Sequence, residues 1–358
     1  MAGSRPTSSR PTGGTPAAAA LRLSLLDVDL ASLAAWRDEW QRLERRSEEA
    51  SPFTTYDWTR AWVETYRPPR LLLAHAVETD RGSTVALGLV EVSRLREWSF
   101  AGGEVTPRRS LLCAAGHADA AWRALAGWLR AHPRAWSTLD ACEVAQGAGA
   151  VPGARLTATH TPCLALADSF ESYLASLPSK RRGDLRRRLR LTEQAGVEVR
   201  RVPERERERA IADLLRLHGQ RASAKAERHT NVDDRLGRLL ARVCASSAIE
   251  LAVFEVRRDG VPVATNICLE HGDVLYPYAH GWDPRGARLA PGIVMALDFI
   301  RDATSRGLSS IDMGPGEQDY KAALGATPSR RLALRAGNPA AWARALRSAY
   351  AAYRRRRG

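Results

Sequence analysis

Residues Tyr276 to Ala326 read YPYAHGWDPRGARLAPGIVMALDFIRDATSRGLSSIDMGPGEQDYKAALGA, and their reading decides how the rest of the chain is organised. A strand pattern runs from Val274, just after the Gly272-Asp273 turn, to Trp282. Pro291-Gly292 then opens a helix, because a first turn has no use for the N–H that proline lacks. Gly307 closes that helix near Arg306, and Ser309 to Met313 forms the next strand. Directly upstream, Glu250 to Val256 and Pro262 to Glu270 are strands joined at Asp259-Gly260, a strong hairpin turn. Strands joined by hairpins and followed by a helical crossover predict a mixed α/β (α+β) sheet with helices packed on it.

The same alternation continues towards the N-terminus. Lys180 to Ala195 is a helix closed by Gly196, and Glu206 to Ala226 contains another. In the first half, Leu21 to Val28, Arg70 to Val77, Thr84 to Val92 and Thr138 to Val144 have strand patterns. Ser32 to Arg46 has helical spacing at Leu33, Trp36, Trp40 and Leu43, Tyr56 to Tyr66 places Trp58, Trp62 and Tyr66 on one face, and Ala118 to His132 is a further helix. The Gly/Ala/Pro segment Ala145 to Ala154 reads as a loop or as part of a crossover to the second half.

At 358 residues the chain exceeds the size of one ordinary core, so two domains are expected. Hydrophobic residues make up 44% and charged residues 26%, the balance of a globular protein. Met1 to Ala20 reads as a disordered tail without a signal-peptide pattern, and no apolar run is long enough to span a membrane. The five cysteines are odd in number and widely spaced, which suits reduced thiols, a cytoplasmic location and no metal site. Lysine and arginine total 54 against 40 acidic residues, a net charge of +14 that suits polyanionic partners: tRNA, nucleotide-linked sugars, coenzyme A or an anionic membrane surface. General enrichment in Arg would raise the charge as well. No Gly-x-Ser-x-Gly elbow, His-Glu-x-x-His pair or Walker loop occurs, which disfavours an α/β-hydrolase, a zinc protease and a P-loop enzyme.

The aromatic strand ending in Gly281-Trp282-Asp283, the Pro291-Gly292 helix start, the Gly307 stop, Asp312-Met313-Gly314-Pro315-Gly316 and the Tyr320-Lys321 pair together resemble the C-terminal signature of CelD-type acetyltransferases. These belong to the GNAT (general N-acetyltransferase) superfamily, and the FemABX aminoacyl transferases have a related ending that leads to a glycine near the place of Gly325. Leu177 to Val199, with its basic helix and Gly196-to-Val199 exit, resembles the opening of the second domain in both families. Ser51-Pro52-Phe53 with Trp58 resembles the aromatic signature of the first. The resemblance implies two tandem GNAT-like domains: a degenerate one over 21–160 and a catalytic one over 161–335, with a C-terminal basic helix in 336–358.

It also implies acyl transfer from acyl-CoA, without a metal, to an amine or hydroxyl of a sugar or cell-envelope (exopolysaccharide) precursor. The FemABX alternative uses aminoacyl-tRNA as donor and a peptidoglycan-type precursor as acceptor. A third reading is a binder of nucleic acid or of a membrane surface, carried by the C-terminal helix Ala340 to Tyr353 and its basic tip. In a GNAT domain the donor lies where two strands splay apart, with its pyrophosphate on the amides of the following helix. Here that helix starts at Pro291-Gly292, so Gly292 and Arg288 become donor-binding candidates. The ordinary loop reads Arg/Gln-x-x-Gly-x-Gly/Ala, whereas this chain has Arg288-Leu289-Ala290-Pro291-Gly292-Ile293.

Gly314 and Gly316 after a strand let a substrate approach the backbone. Lys321 would stabilise a developing oxyanion there, and Asp312 would orient it or accept a proton from the attacking group. Tyr320, beside Lys321, and His280, a general-base candidate on the aromatic strand, complete the catalytic set. Lys180 to Arg190 holds a basic stripe in which Arg182 and Arg186 would face an anionic ligand in the inter-domain cleft.

Overall fold

The computed structural model describes residues 20–225, 233–246, 249–285, 290–316 and 318–341. In the first half, β1 (Leu21–Val28), β2 (Leu71–Glu78), β3 (Thr84–Val92) and β4 (Glu97–Phe100) pair antiparallel in sequence order. The short β5 (Leu112–Cys113) lies against β3, and β6 (Thr138–Cys142) runs parallel to β4. The helix expected over Ser32 to Arg46 is two, α1 (Leu30–Ala34) and α2 (Arg37–Glu44). The Trp36 amide bonds the Leu33 carbonyl, a tighter turn than an α-helix makes, while the Trp36 ring packs edge-on to His75 at 4.8 Å. Helix α3 (Tyr56–Tyr66) starts where the Thr55 side chain accepts the Trp58 N–H, and it buries Trp58 and Trp62. Helix α4 (Ala118–Ala131) buries Trp122, Leu125 and Leu129, spaced three and four residues apart, against the sheet.

The second half has the same pairing plan. Strands β8 (Glu198–Arg201), β9 (Glu250–Arg258), β10 (Val261–His271) and β11 (Val274–Trp282) pair antiparallel in order, and β12 (Ser310–Asp312) runs parallel to β11. The remaining strands, β7 (Ala154–Ala165) and β13 (Thr327–Gly337), are exchanged. β7 follows β6 in sequence but pairs with β12, β13 follows β12 but pairs with β6, and the two pair with each other. The result is one 13-stranded sheet in the order β1-β2-β3-β4-β6-β13-β7-β12-β11-β10-β9-β8, with β5 off the path.

Residue 160, expected to end the first domain, lies inside β7. Neither exchanged strand stands out as an apolar run: β7 exposes Thr157, Thr159 and His160, and its backbone is held by β13 over almost its whole length. Helices α5 (Phe170–Ser176), α6 (Ser179–Gln194), α7 (Arg207–Lys225), α8 (Asp234–Cys244), α9 (Pro291–Ser305) and α10 (Asp319–Ala323) complete the second half. Most of the expected C-terminal helix, from Trp342 onward, and the N-terminal segment through residue 19 lie outside the described residues.

Candidate active site

β11 and β12 stay paired only at Val274 with Ser310 and Leu275 with Ile311. Beyond that point they separate, for reasons visible in each strand. On β11 the register with β10 shifts so that Ile267 faces Ala279 and Cys268 faces Pro277, leaving Tyr278 as an extra residue in a bulge. Pro277 has no N–H to offer a neighbour. On the other side β12 ends at Asp312, and Gly314, at φ 73°, turns the chain away. A cleft of about 710 Å³ opens between the strand ends, walled by Phe53, Tyr278, Trp282, Met295 and Phe299, with Pro291 and Gly292 of α9 at one side.

The floor of the cleft is a buried ion-pair cluster that joins the two halves. Arg108 donates from Nη2 to Asp312 Oδ2 at 2.5 Å and lies with Nε 2.7 Å from Glu143 Oε2, its guanidinium 5.7 Å from the centre of the Tyr276 ring. Asp312 Oδ1 accepts the Gly314 N–H at 2.9 Å. Glu143 Oε1 accepts the Thr161 hydroxyl at 3.3 Å, and Arg331 Nε stands 3.8 Å from Oε2. Burial pushes the Glu143 carboxyl upward against the pull of Arg108 and Arg331. Burial likewise pushes the Tyr276 phenol to about 12, opposed by Arg108. A second cavity of about 650 Å³ reaches the same floor, since Arg108, Glu143, Tyr276 and Asp312 line it too, and extends to Glu44, Asp273 and Arg330.

Lys321 is buried beside this floor, and Nζ donates to the carbonyls of Gly314, Pro315 and Gly316 at 2.9, 3.0 and 3.1 Å. An ammonium has only three donors, so Lys321 holds the turn rather than presenting a spare N–H to an oxyanion. Burial draws its pKa down to about 8, with Asp312 opposing. Tyr320 and His280 line the cleft; the His280 ring stacks on Trp282, 5.6 Å between centroids and 10° from parallel. The His280 carbonyl lies 3.2 Å from His218 Nδ1, which ties α7 to β11. Gly281 allows that packing, because a Cβ there would lie 2.7 Å from the His218 amide.

Gly292 occupies the first turn of α9, whose cap residue Ala290 is left-handed at φ 47°. Pro291 has no N–H, and the Ile293 amide bonds the Ala290 carbonyl, so this helix start presents fewer amides than a phosphate loop does. Gly316, at φ 94°, belongs to the turn that Lys321 grips, and Arg288 lies outside the described residues. The expectation for Arg182 and Arg186 is corrected: neither lines the cleft. Arg182 is drawn to the carbonyls of Ala175 and Leu177 at the end of α5, and Arg186 to Glu171 at 2.8 Å. Leu185 and Thr192 are the buried side of α6. Arg108 and Glu143 were missed by sequence reasoning because no local motif marks them and 204 residues separate Arg108 from Asp312.

Among the described residues no group of three His, Cys, Asp or Glu side chains is placed to hold a metal ion, and no helix is long and apolar enough to cross a membrane. Residues 179–322 match the family described as acetyltransferase (GNAT) domain, over less than half of the chain. The crystal structure of FemX superposes with a TM-score of 0.60 at 10% identity, covering 87% of this chain and 96% of that one. A conserved protein of unknown function from Bacteroides thetaiotaomicron gives a TM-score of 0.56 at 14% identity, covering 88% and 99%. At such identities the likeness is one of fold. No curated protein sequence matches this chain.

Proposed function

The chain is an N- or O-acyltransferase of GNAT fold, and we propose that it moves an acyl group from acyl-CoA to an amine or hydroxyl of a sugar or other cell-envelope precursor in the cytoplasm. The observation that carries this reading is the floor shared by two cavities, at which a donor in one and an acceptor in the other would meet. In the larger cleft, the edge of β11 beyond Leu275 is left by β12 and can be continued by the pantetheine arm. The apolar walls exclude water from the thioester, and strand ends set its carbonyl near Asp312 and Tyr276. Lys321 contributes by holding the Gly314–Gly316 turn in place. The repeated pairing plan supports two GNAT-like halves in tandem.

The sparse amides at the start of α9 favour a second reading, with aminoacyl-tRNA as donor, which the net charge of +14 also suits. Native mass spectrometry with acetyl-CoA and, separately, with a charged tRNA decides between them. The first reading expects a one-to-one coenzyme A complex and thiol release on adding an amino sugar. Binding of the charged tRNA alone, persisting at 150 mM salt, reverses the order of preference. Binding of neither removes both.

A further inference from the structure

Two carboxylates stand on the floor, and they are not equivalent. Both Asp312 oxygens are occupied, Oδ1 by the Gly314 N–H at 2.9 Å and Oδ2 by Arg108 at 2.5 Å. Glu143 uses Oε2 on Arg108, whereas Oε1 meets only the Thr161 hydroxyl at 3.3 Å. That is long for a hydroxyl–carboxylate bond, and the hydroxyl can rotate away. Glu143 lines both cavities. Its backbone is left-handed at φ 60°, a conformation that costs a non-glycine residue about 1–2 kcal/mol and aims the side chain into the floor as the chain leaves β6.

We infer that Glu143 is the catalytic proton acceptor of the transfer, and that it serves a protonated amine arriving through the second cavity. This rests on the acyl-transfer reading above. Glu48, Glu49 and Asp273 line that cavity without an ion pair among the described residues, and they outnumber Arg330, the lining cation that stands away from the floor, so the lining favours a cation within a strongly basic chain. An acceptor that arrives as an ammonium ion has to lose a proton before it can attack. One proton passes to Glu143, and the freed amine lone pair attacks the thioester carbonyl carbon. The C–N bond forms and the C–S bond breaks; the sulfur keeps the bonding pair and takes the second proton from nitrogen. Amide and thiol leave, and Glu143 returns its proton to water. The groups facing Glu143 are Arg108, Arg331 on β13, Asp312 on β12, Tyr276 on β11, and Cys163 and Thr161 on β7. Burial is the largest influence on the carboxyl and raises it, which moves a base towards the working pH.

The test is thiol release from acetyl-CoA as a function of pH, with glucosamine, spermidine and lysine as probe amines, in the wild type, Glu143→Gln and Glu143→Asp. The wild-type rate should climb with pH along a limb set by Glu143. Glu143→Gln should lose that limb and about 100-fold or more in kcat, with KM for acetyl-CoA unchanged. Glu143→Asp should recover part of the rate and restore a limb. A Gln variant with wild-type turnover and pH profile overturns the assignment. So does a pair of variants that lose affinity for acetyl-CoA and thermal stability together, which would make Glu143 a mere partner for Arg108. If Glu143→Gln does not fold, the limb of Glu143→Asp decides: an unshifted limb is the negative result. Glucose acylated as fast as glucosamine rejects the cationic acceptor. A wild type that releases no thiol with any probe rejects the parent reading and this inference with it.

Discussion

The two halves of the sheet share a pairing plan, yet only one of them opens. In the first half β4 and β6 are paired at Glu97 with Thr138, Trp98 with Leu139 and Ser99 with Asp140, and Phe100, the next residue of β4, is buried against Trp122 of α4, 5.5 Å between ring centres. The chain leaving β6 then folds over the start of α4: the Gly147 N–H donates to Asp119 Oδ1 at 2.7 Å, and a Cβ at Gly147 would lie 2.2 Å from the Asp119 carbonyl oxygen. In the second half the chain leaving β12 turns aside at Gly314, where the nearest atom to an added Cβ is the Pro277 oxygen at 4.0 Å. The same strand order thus yields a plug in one half and a cleft in the other. The difference is made by the loop after the parallel strand and by the size of the side chains between the strands. The closed half still contributes to the open one, because Arg108 and Glu143 come from it.

The comparison breaks first at neighbouring arginines. Arg108 holds two buried carboxylates of the floor, whereas Arg109 pairs with the partly exposed Asp140 at 3.0 Å. Replacing Arg108 with Met should cost about 3–5 kcal/mol, since both largely buried acids lose their nearest cation, and should abolish transfer. Arg109→Met should cost under about 1 kcal/mol. Urea denaturation measures both, and equal costs would mean that the floor does not hold the halves together.

The glycines come next. Gly147→Ala should lose about 1–3 kcal/mol, because backbone rather than a pliable side chain has to move. Gly314→Ala meets no such neighbour, and only the left-handed φ of 73° acts against it, at about 1–2 kcal/mol. Thermal melts of the two variants should therefore rank Gly147→Ala lower, and the reverse order would argue that the first half is not plugged.

The smallest effect concerns Glu44 at the second cavity. Its carboxyl is raised to about 7, chiefly by burial, with the Tyr56 N–H pulling against that and Asp57 adding to it. An acid raised on folding binds more protons folded than unfolded between its ordinary 4.5 and about 7, so its contribution to stability declines as pH rises through that window. Glu44→Gln keeps an acceptor for the Tyr56 N–H and removes the titration. It should gain on the wild type between pH 4.5 and 7 in melting temperature, and a gap independent of pH would contradict the burial of Glu44.

Much of the fold was legible because its signals are local. Thr84–Val92 is a short apolar run rich in β-branched residues, Val274–Trp282 is an aromatic-rich run, Tyr56–Tyr66 repeats its aromatics every four residues, and turns such as Asp259-Gly260 punctuate the strands. Helix α8 was missed, although Asp233 caps it and Leu236, Leu239, Leu240 and Val243 repeat along one face, and so was α5, which is too short for a period to accumulate. Asp312, Lys321, Tyr320 and His280 were legible as candidates because they sit within one continuous stretch, and all four line the one cleft.

What the amino-acid sequence determined by itself is therefore the inventory: alternating strands and helices, the glycine turn after β12, the proline start of α9, and the chemistry-bearing residues of a single segment. Tertiary structure alone decided that β7 and β13 change places, that Lys321 spends its donors on the turn, that the basic stripe of α6 faces α5, and that Arg108 and Glu143 complete the floor. The physical reason is range. Periodicity, capping and turn preference act between residues a few positions apart, whereas a buried guanidinium takes whichever carboxylates the folded sheet brings within reach, however far away they lie in the chain.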